Sequence, residues 1–276
     1  MRTGIAATPA IESLVGVTSN RVWQRGGNHV EPNIEEVTSG VFFVEASDTN
    51  FVLLVNGQSV TSVDSGYPKD RDLVDAAVAG IGRSLSDVGA VVLTHGHVDH
   101  KGSAERLRRD HQIPAHCHTD EAPIARGEIK QQISTFELRR AWRPKIFRFA
   151  FHAIRSGGLQ PEHLTEVTTF ADGDQLDVPG HPIVVHTPGH TQGHASLHLP
   201  EQGVLISGDA LITIDLWDHD RRGPQMIRPQ FNHDHQQAIQ SLDRLAALEA
   251  NVILPGHGEI WRGSPAGAVE QARQTL

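Results

Sequence analysis

From Gly40 onward the chain alternates short β-branched and aromatic runs with turn signals. Val41-Phe42-Phe43-Val44, Phe51-Val52-Leu53-Leu54-Val55 and Ser59-Val60-Thr61-Ser62-Val63 are extended segments, the last two separated by Asn56-Gly57. That dipeptide tolerates the positive φ values of a tight hairpin, so the pattern predicts an antiparallel meander. The period then changes. Between Asp70 and Ile81 the apolar residues Leu73, Ala76, Ala77 and Ile81 recur at helical spacing. Leu85 and Val88 lead into Val91-Val92-Leu93, an apolar run expected of a buried strand, and Lys101–Leu107 reads as the start of a helix. Further strands are expected at Ala115–His118, Glu166–Phe170, Ile183–His186, Ala195–Leu199 and Val204–Ile206, the last four resuming the meander. A helix over His235–Leu248, with apolar Ala238, Ile239, Leu242, Leu245 and Leu248, precedes a strand at Asn251–Leu254. Residues 1–36 are weakly periodic and Gly/Asn-rich around Arg25–Asn28. They are expected to form an arm beside one domain over 37–276.

The most informative segment is His95-Gly96-His97-Val98-Asp99-His100, which follows the apolar strand and precedes the helix. Loops at strand ends expose functional groups on a rigid scaffold. His95 and His97 alternate along extended backbone, so both imidazoles can face one ion at ~2.0–2.1 Å. The chain then turns, and Asp99 and His100 are expected to point toward a second ion. Completing the ligand set requires distant residues. Three stand at comparable strand-to-loop junctions: His190 in T-P-G-H-T-Q-G-H, Asp209 in S-G-D-A and His257 in P-G-H-G. The Gly or Pro beside each lets the backbone turn the side chain inward.

Composition narrows the partners. At 276 residues and 38% apolar content the chain can bury a sizeable core, and its net charge of −9 makes nucleic acid a poor match for the surface as a whole. Its 18 histidines are the compositional outlier, and the single Cys117 excludes an intrachain disulfide. Cys117 lies in an expected buried strand and reads as core. The N-terminal residues lack an apolar signal-peptide core, and no run of ~18 apolar residues follows. No membrane span, no membrane partner and a cytoplasmic location are therefore expected, with a small molecule as substrate.

Taken together, H-x-H-x-D-H, G-H, G-D and P-G-H, spanning residues 64–258, resemble the motifs of the metallo-β-lactamase-fold hydrolase superfamily. The resemblance implies an α+β fold, a four-layer αββα sandwich, with a dinuclear site of two Zn2+ ions at one edge of the sheets. Iron and manganese are the alternative metals. It further implies that His95, His97 and His190 hold one ion and Asp99, His100 and His257 the other. Asp209 bridges them, and Asp99 and Asp209 are the carboxylates assigned to catalysis. Asp64, in V-D-S-G, and His194 are implied to brace the ligands from behind. His116, His118, His186 and His198 are assigned to structure.

Within the superfamily, the relatives that open β-lactams carry Cys or Ser where this chain has Asp209. The resemblance therefore points to the glyoxalase II and lactonase branches, and to hydrolysis of a lactone or thioester by a hydroxide shared between the cations. Only 18 residues follow Gly258, whereas glyoxalase II proper adds a long glutathione-binding region. A mononuclear-iron persulfide dioxygenase is the alternative reaction class. Substrate choice is expected to lie in a helical insertion, 119–165. From Glu121 to Gln160 it carries eight Lys/Arg against three Glu, interleaved with Trp142, Phe147 and other apolar residues. Either this segment roofs the site, with Trp142 and Phe147 binding substrate, or it packs on the sandwich or against a second copy in a homodimer.

Overall fold

The computed structural model describes residues 32–46, 48–130 and 144–276, apart from the side chain of Lys145. Among these, the first sheet has seven strands in spatial order: β1 (Asn33–Thr38), β2 (Val41–Glu45), β3 (Asn50–Asn56), β4 (Ser59–Val63), β5 (Val88–Val92), β6 (Ala115–His118) and β7 (Thr168–Phe170). Pairing is antiparallel from β1 to β4 and parallel from β4 to β7. The expected meander is present in the first half. The segment at 168–170 instead lies parallel to β6, because the chain returns to this sheet by a crossover and not by a hairpin. Strand β1 begins at Asn33, inside the segment read from sequence as an arm, and pairs with β2 along its length.

The second sheet runs in the order β14 (Trp261–Arg262), β13 (Val252–Pro255), β10 (Val204–Gly208), β9 (Ala195–Leu199), β8 (Ile183–His186). A separate ribbon joins β11 (Ile212–Ile214) to β12 (Arg222–Gln225). The helices are α1 (Arg71–Gly80), the single turns α2 (Val98–Lys101) and α4 (Ala122–Ala125), α3 (Ala104–His111), α5 (Pro144–Arg155), α6 (His235–Ala246) and α7 (Pro265–Arg273).

Alternation along the strands assigns the layers. Phe51 and Leu53 of β3 face outward with Leu73, Val74, Ala77 and Val78 of α1 and with Leu107 of α3. Their neighbours Val52 and Leu54 face inward, meeting Val184, Leu197, Val204, Ile206 and Leu254 of the second sheet. On the far side, Leu205 and Ile253 pack against Leu242 and Leu245 of α6 and Ala268, Val269 and Ala272 of α7. Two strand faces each buried against a different layer require near-continuous apolar strands, and β3 and β10 read that way. The order is helix, sheet, sheet, helix. No described helix is long and apolar enough to cross a membrane.

Candidate metal centre

The six-residue run from His95 to His100 leaves β5 in extended backbone and turns into α2, whose N-terminal flank is His97 at φ −68°, ψ 155°. The other ligand candidates come from the second sheet: His190 between β8 and β9, Asp209 directly after β10, and His257 directly after β13. All three are nearly fully buried. Gly256 is required where His257 enters, because a Cβ there would lie 2.2 Å from Asp209 Oδ1 and 2.8 Å from His100 Cε1.

The seven sequence-predicted ligands lie in overlapping groups: His95, His97 and His190; His95, His100 and Asp209; and Asp99, His100 and His257. His190 Nε2 stands 3.2 Å from His95 Nε2 and 3.0 Å from His97 Nδ1. His257 Nε2 stands 3.5 Å from both His100 Nε2 and Asp99 Oδ2. Between the groups, Asp209 Oδ2 is 3.3 Å from His190 Nε2 and 3.2 Å from His257 Nε2, and Oδ1 is 3.4 Å from His100 Nε2. Zinc–nitrogen bonds of ~2.0–2.1 Å in a tetrahedron separate the donor atoms by about 3.3 Å, which is the spacing found.

The outer ring nitrogens explain why these inner nitrogens carry lone pairs. His100 Nδ1 donates to Asp64 Oδ2 at 2.9 Å, His257 Nδ1 to the carbonyl of Asp48 at 2.6 Å, and His190 Nδ1 to Asn232 Oδ1 at 3.2 Å. His95 Nδ1 donates to Thr94 Oγ1 at 3.1 Å, whose own proton goes to Asp64 Oδ2. Each outer nitrogen thus holds a ring proton, so Nε2 of all four rings is the nitrogen turned toward the centre and the one a cation would claim. Asp209 Oδ1 is buried without a hydrogen-bond partner. Imidazole nitrogens converging on a buried carboxylate oxygen that accepts no hydrogen bond fit a cation.

Electrostatics divides the set. Burial, then the neighbouring imidazoles, holds His95 and His190 well below the ordinary histidine value, so they are neutral donors. Burial works against charge at His100 too, but Asp209, Asp99 and Asp64 outweigh it and raise that ring to about 10. Burial likewise opposes ionisation of Asp209, yet His257 and His100 hold its carboxyl well below the usual range.

Asp64 adopts φ 63°, a backbone region most side chains avoid, at the end of β4. Its carboxylate accepts from Thr94 N–H at 2.8 Å and Thr94 O–H at 2.7 Å, besides His100. His194 is buried and, through burial first, shifted down to about 3. Its Nε2 accepts the backbone N–H of Asp209 at 3.0 Å, and its Nδ1 meets Thr187 Oγ1 at 2.8 Å.

One brace has no counterpart in the sequence reading. Glu121 is fully buried and accepts from Gly96 N–H at 2.6 Å, Thr191 O–H at 2.7 Å and Gly193 N–H at 2.9 Å. It thereby ties the His95–His97 loop to the His190–His194 loop. Burial pushes its carboxyl up to about 7 against the pull of these donors, with Lys101 nearby. The only local signal was an acidic residue ahead of Ala122-Pro123, the signature of an exposed helix start. Asn232 and Asp48 were equally silent. Cys117 is buried core, its thiol pushed up to about 12 by desolvation. His118 and His186 stack at 3.9 Å with 11° between their planes, and with Asp120 they form a further group whose possible ligand atoms lie within 4.8 Å of one another.

Above the ligands opens a cavity of ≈ 210 Å³ whose far wall is apolar: Phe149, Ala150, Ala153 and Ile154 of α5, with Leu216, Ile227 and Phe231 opposite. Helix α5 therefore lies over the centre. The expectation that Phe147 faces substrate is corrected: it is 59% exposed, stacks on Phe151, and does not line the cavity. Two residues on a helix turn the chain by about 200°, so Phe149 takes the inner position. Trp142 lies outside the described residues.

Comparison with known proteins agrees with this geometry. A family model described as the Metallo-beta-lactamase superfamily matches residues 44–257. The probable metallo-hydrolase YflN of Bacillus subtilis is 27% identical over 229 residues, covering 78% of this chain and 81% of that protein. A beta-lactamase-like protein 2 homolog of Caenorhabditis elegans is 26% identical over 84% of this chain and 65% of its own length. Among solved structures, a metallo-beta-lactamase family protein from Thermus thermophilus superposes with a TM-score of 0.62 at 25% identity, over 87% of this chain and 80% of that one.

Proposed function

This chain belongs to the metallo-beta-lactamase superfamily, and from that premise we propose that it hydrolyses a small carboxylic ester-type bond, a lactone or thioester, at a dinuclear zinc centre. The observation that carries the reading is the convergence of four imidazole Nε2 atoms on Asp209 at the floor of an apolar cavity. One ion would be held by His95, His97 and His190 and the other by Asp99, His100 and His257, with Asp209 shared. Bound there, the pair supplies hydroxide at neutral pH and polarises the scissile carbonyl.

The chain's own residues do the rest. Thr94, Asp64, Asn232 and the Asp48 carbonyl fix the rings so that no ligand reorganises during the reaction. The wall from Phe149 to Ile154 and from Leu216 to Phe231 excludes bulk water and accepts an apolar acyl group. Asp99, the more exposed of the two carboxylates, lines the cavity, and we assign its oxygen not taken by the ion to carry the proton that the leaving alkoxide or thiolate takes up.

Metal quantification followed by a hydrolysis screen tests the reading. Two zinc ions per chain are expected, with turnover of lactones or thioesters and none of a chromogenic cephalosporin. A single iron, with oxygen consumed on a persulfide and no ester hydrolysis, would replace it by the dioxygenase reading.

A further inference from the structure

Among the described residues lining the cavity, one side chain carries a polar atom without belonging to the His/Asp cluster. It is Tyr67, the only tyrosine in the chain. The residue stands three positions past Asp64, and its placement is tightly constrained. Its backbone N–H donates to Asp70 Oδ2 at 2.9 Å. Gly102 packs so closely that a Cβ there would fall 2.2 Å from the Tyr67 carbonyl carbon. The ring meets His152 edge-on at 6.0 Å and is only 4% exposed.

Burial is the main influence on the phenol, followed by the negative charges of Asp99, Asp48, Asp70 and Asp209. Tyr67 lines the same cavity as the ligand candidates His97, Asp99, His190, Asp209 and His257. Burial, the largest of these influences, holds the phenol well above its ordinary value. A phenol O–H in the wall of the ligand cavity, where every other described lining residue outside the His/Asp cluster has an apolar side chain or none, can donate a hydrogen bond to an oxygen that the substrate brings.

We propose that Tyr67 is a catalytic residue, its hydroxyl donating a hydrogen bond to the substrate's acyl oxygen as that oxygen gains negative charge. The inference rests on the ester-type hydrolysis proposed above. When hydroxide oxygen bonds to the acyl carbon, the carbonyl π pair moves onto the acyl oxygen, which accepts the Tyr67 hydrogen bond without taking its proton. When the adduct collapses, that pair re-forms the carbonyl, the bond to the leaving alkoxide or thiolate breaks, and the hydrogen bond weakens again. A donor whose bond strengthens only in the charged adduct lowers the barrier and leaves ground-state binding nearly unchanged.

Tyr67→Phe keeps the ring and deletes the donor. In the zinc-reconstituted full chain it is expected to lower kcat by about 100-fold, with KM, zinc content and melting temperature unchanged. A second readout does not depend on turnover. Labelling tyrosine at Cζ with carbon-13 gives a single side-chain signal, and saturation with hexylphosphonate, a tetrahedral oxyanion on an alkyl chain, should move it. Tyr67→Phe should bind the phosphonate at least about 10-fold more weakly. An active wild type with an equally active Tyr67→Phe, or an unmoved signal in phosphonate-saturated protein, overturns the role of Tyr67 and leaves the ester reading intact. A wild type that hydrolyses no ester but shows the phosphonate-dependent shift retires the ester reading and retains Tyr67 as the oxyanion donor.

Discussion

At the cavity floor, His95, His100, His190 and His257 are each anchored through the outer ring nitrogen, whereas the roof presents Phe149, Ala150, Ala153 and Ile154, side chains without a hydrogen-bonding atom. Hydrogen bonds have narrow distance and angle preferences, so the floor admits one arrangement. Apolar contact is non-directional, so the roof can repack around different substrates. The difference separates two tasks. On the proposed reading, reactivity belongs where geometry is fixed and substrate choice where it is adjustable.

The floor is where substitution should do most damage. Asp209→Asn keeps the volume and removes the charge shared by both groups of imidazoles. Activity should fall by more than about 100-fold, with metal content falling in parallel. Two ions retained at full turnover would show that the floor does not depend on this carboxylate.

Glu121→Leu attacks the same floor from behind by leaving three donors unsatisfied. A loss of about 2–3 kcal/mol in unfolding free energy is expected, with roughly 10- to 100-fold weaker metal binding. Glu121→Gln, which keeps one carbonyl acceptor, should recover part of both. Metal affinity equal to wild type in the leucine variant would mean that the two loops hold themselves in place.

The roof should respond more gently and selectively. Phe149→Ala is expected to raise KM for long-chain acyl substrates about 10-fold while sparing short ones, since ~1–2 kcal/mol of apolar contact is lost. Phe147→Ala should change neither. Equal kinetics of the Phe149 variant on short and long chains would break the division of labour.

The smallest effect is a proton count. In the metal-free protein His100 is held at about 10, above a free imidazole's ~6.5. Its protonation therefore stabilises that state fully below about pH 6.5 and fades as pH rises through about 10. Cation uptake near neutral pH must expel this proton. Calorimetry in two buffers of different ionisation enthalpy should detect its release, and buffer-independent heats would contradict it.

The strands and the imidazoles were legible in the chain for the same reason: each is written in a short local pattern. A continuous apolar run defines β3 within seven positions, and H-x-H-x-D-H sets its own spacing. What stayed hidden is set by tertiary approach. Glu121 looks like an exposed acid until Gly96 and Gly193 close on it, and Asn232 and Asp48 reach histidines 42 and 209 residues away. The inner face of α5 was obscured differently. Phe147, Phe149 and Phe151 are all apolar, so hydrophobicity alone did not specify which turns toward the ligands.

The stitch between residues 48–50 and 255–258 carries a consequence for biogenesis. Asn50 Nδ2 donates to the carbonyls of Pro255 and Gly258, its N–H to that of Gly256, and the Asp48 carbonyl takes the His257 proton. During synthesis the earlier partners leave the ribosome some two hundred residues before the later ones. A nascent chain can lay down β2, β3 and β5 while the group of Asp99, His100 and His257 is still incomplete, and that group closes only when β13 has left the ribosome.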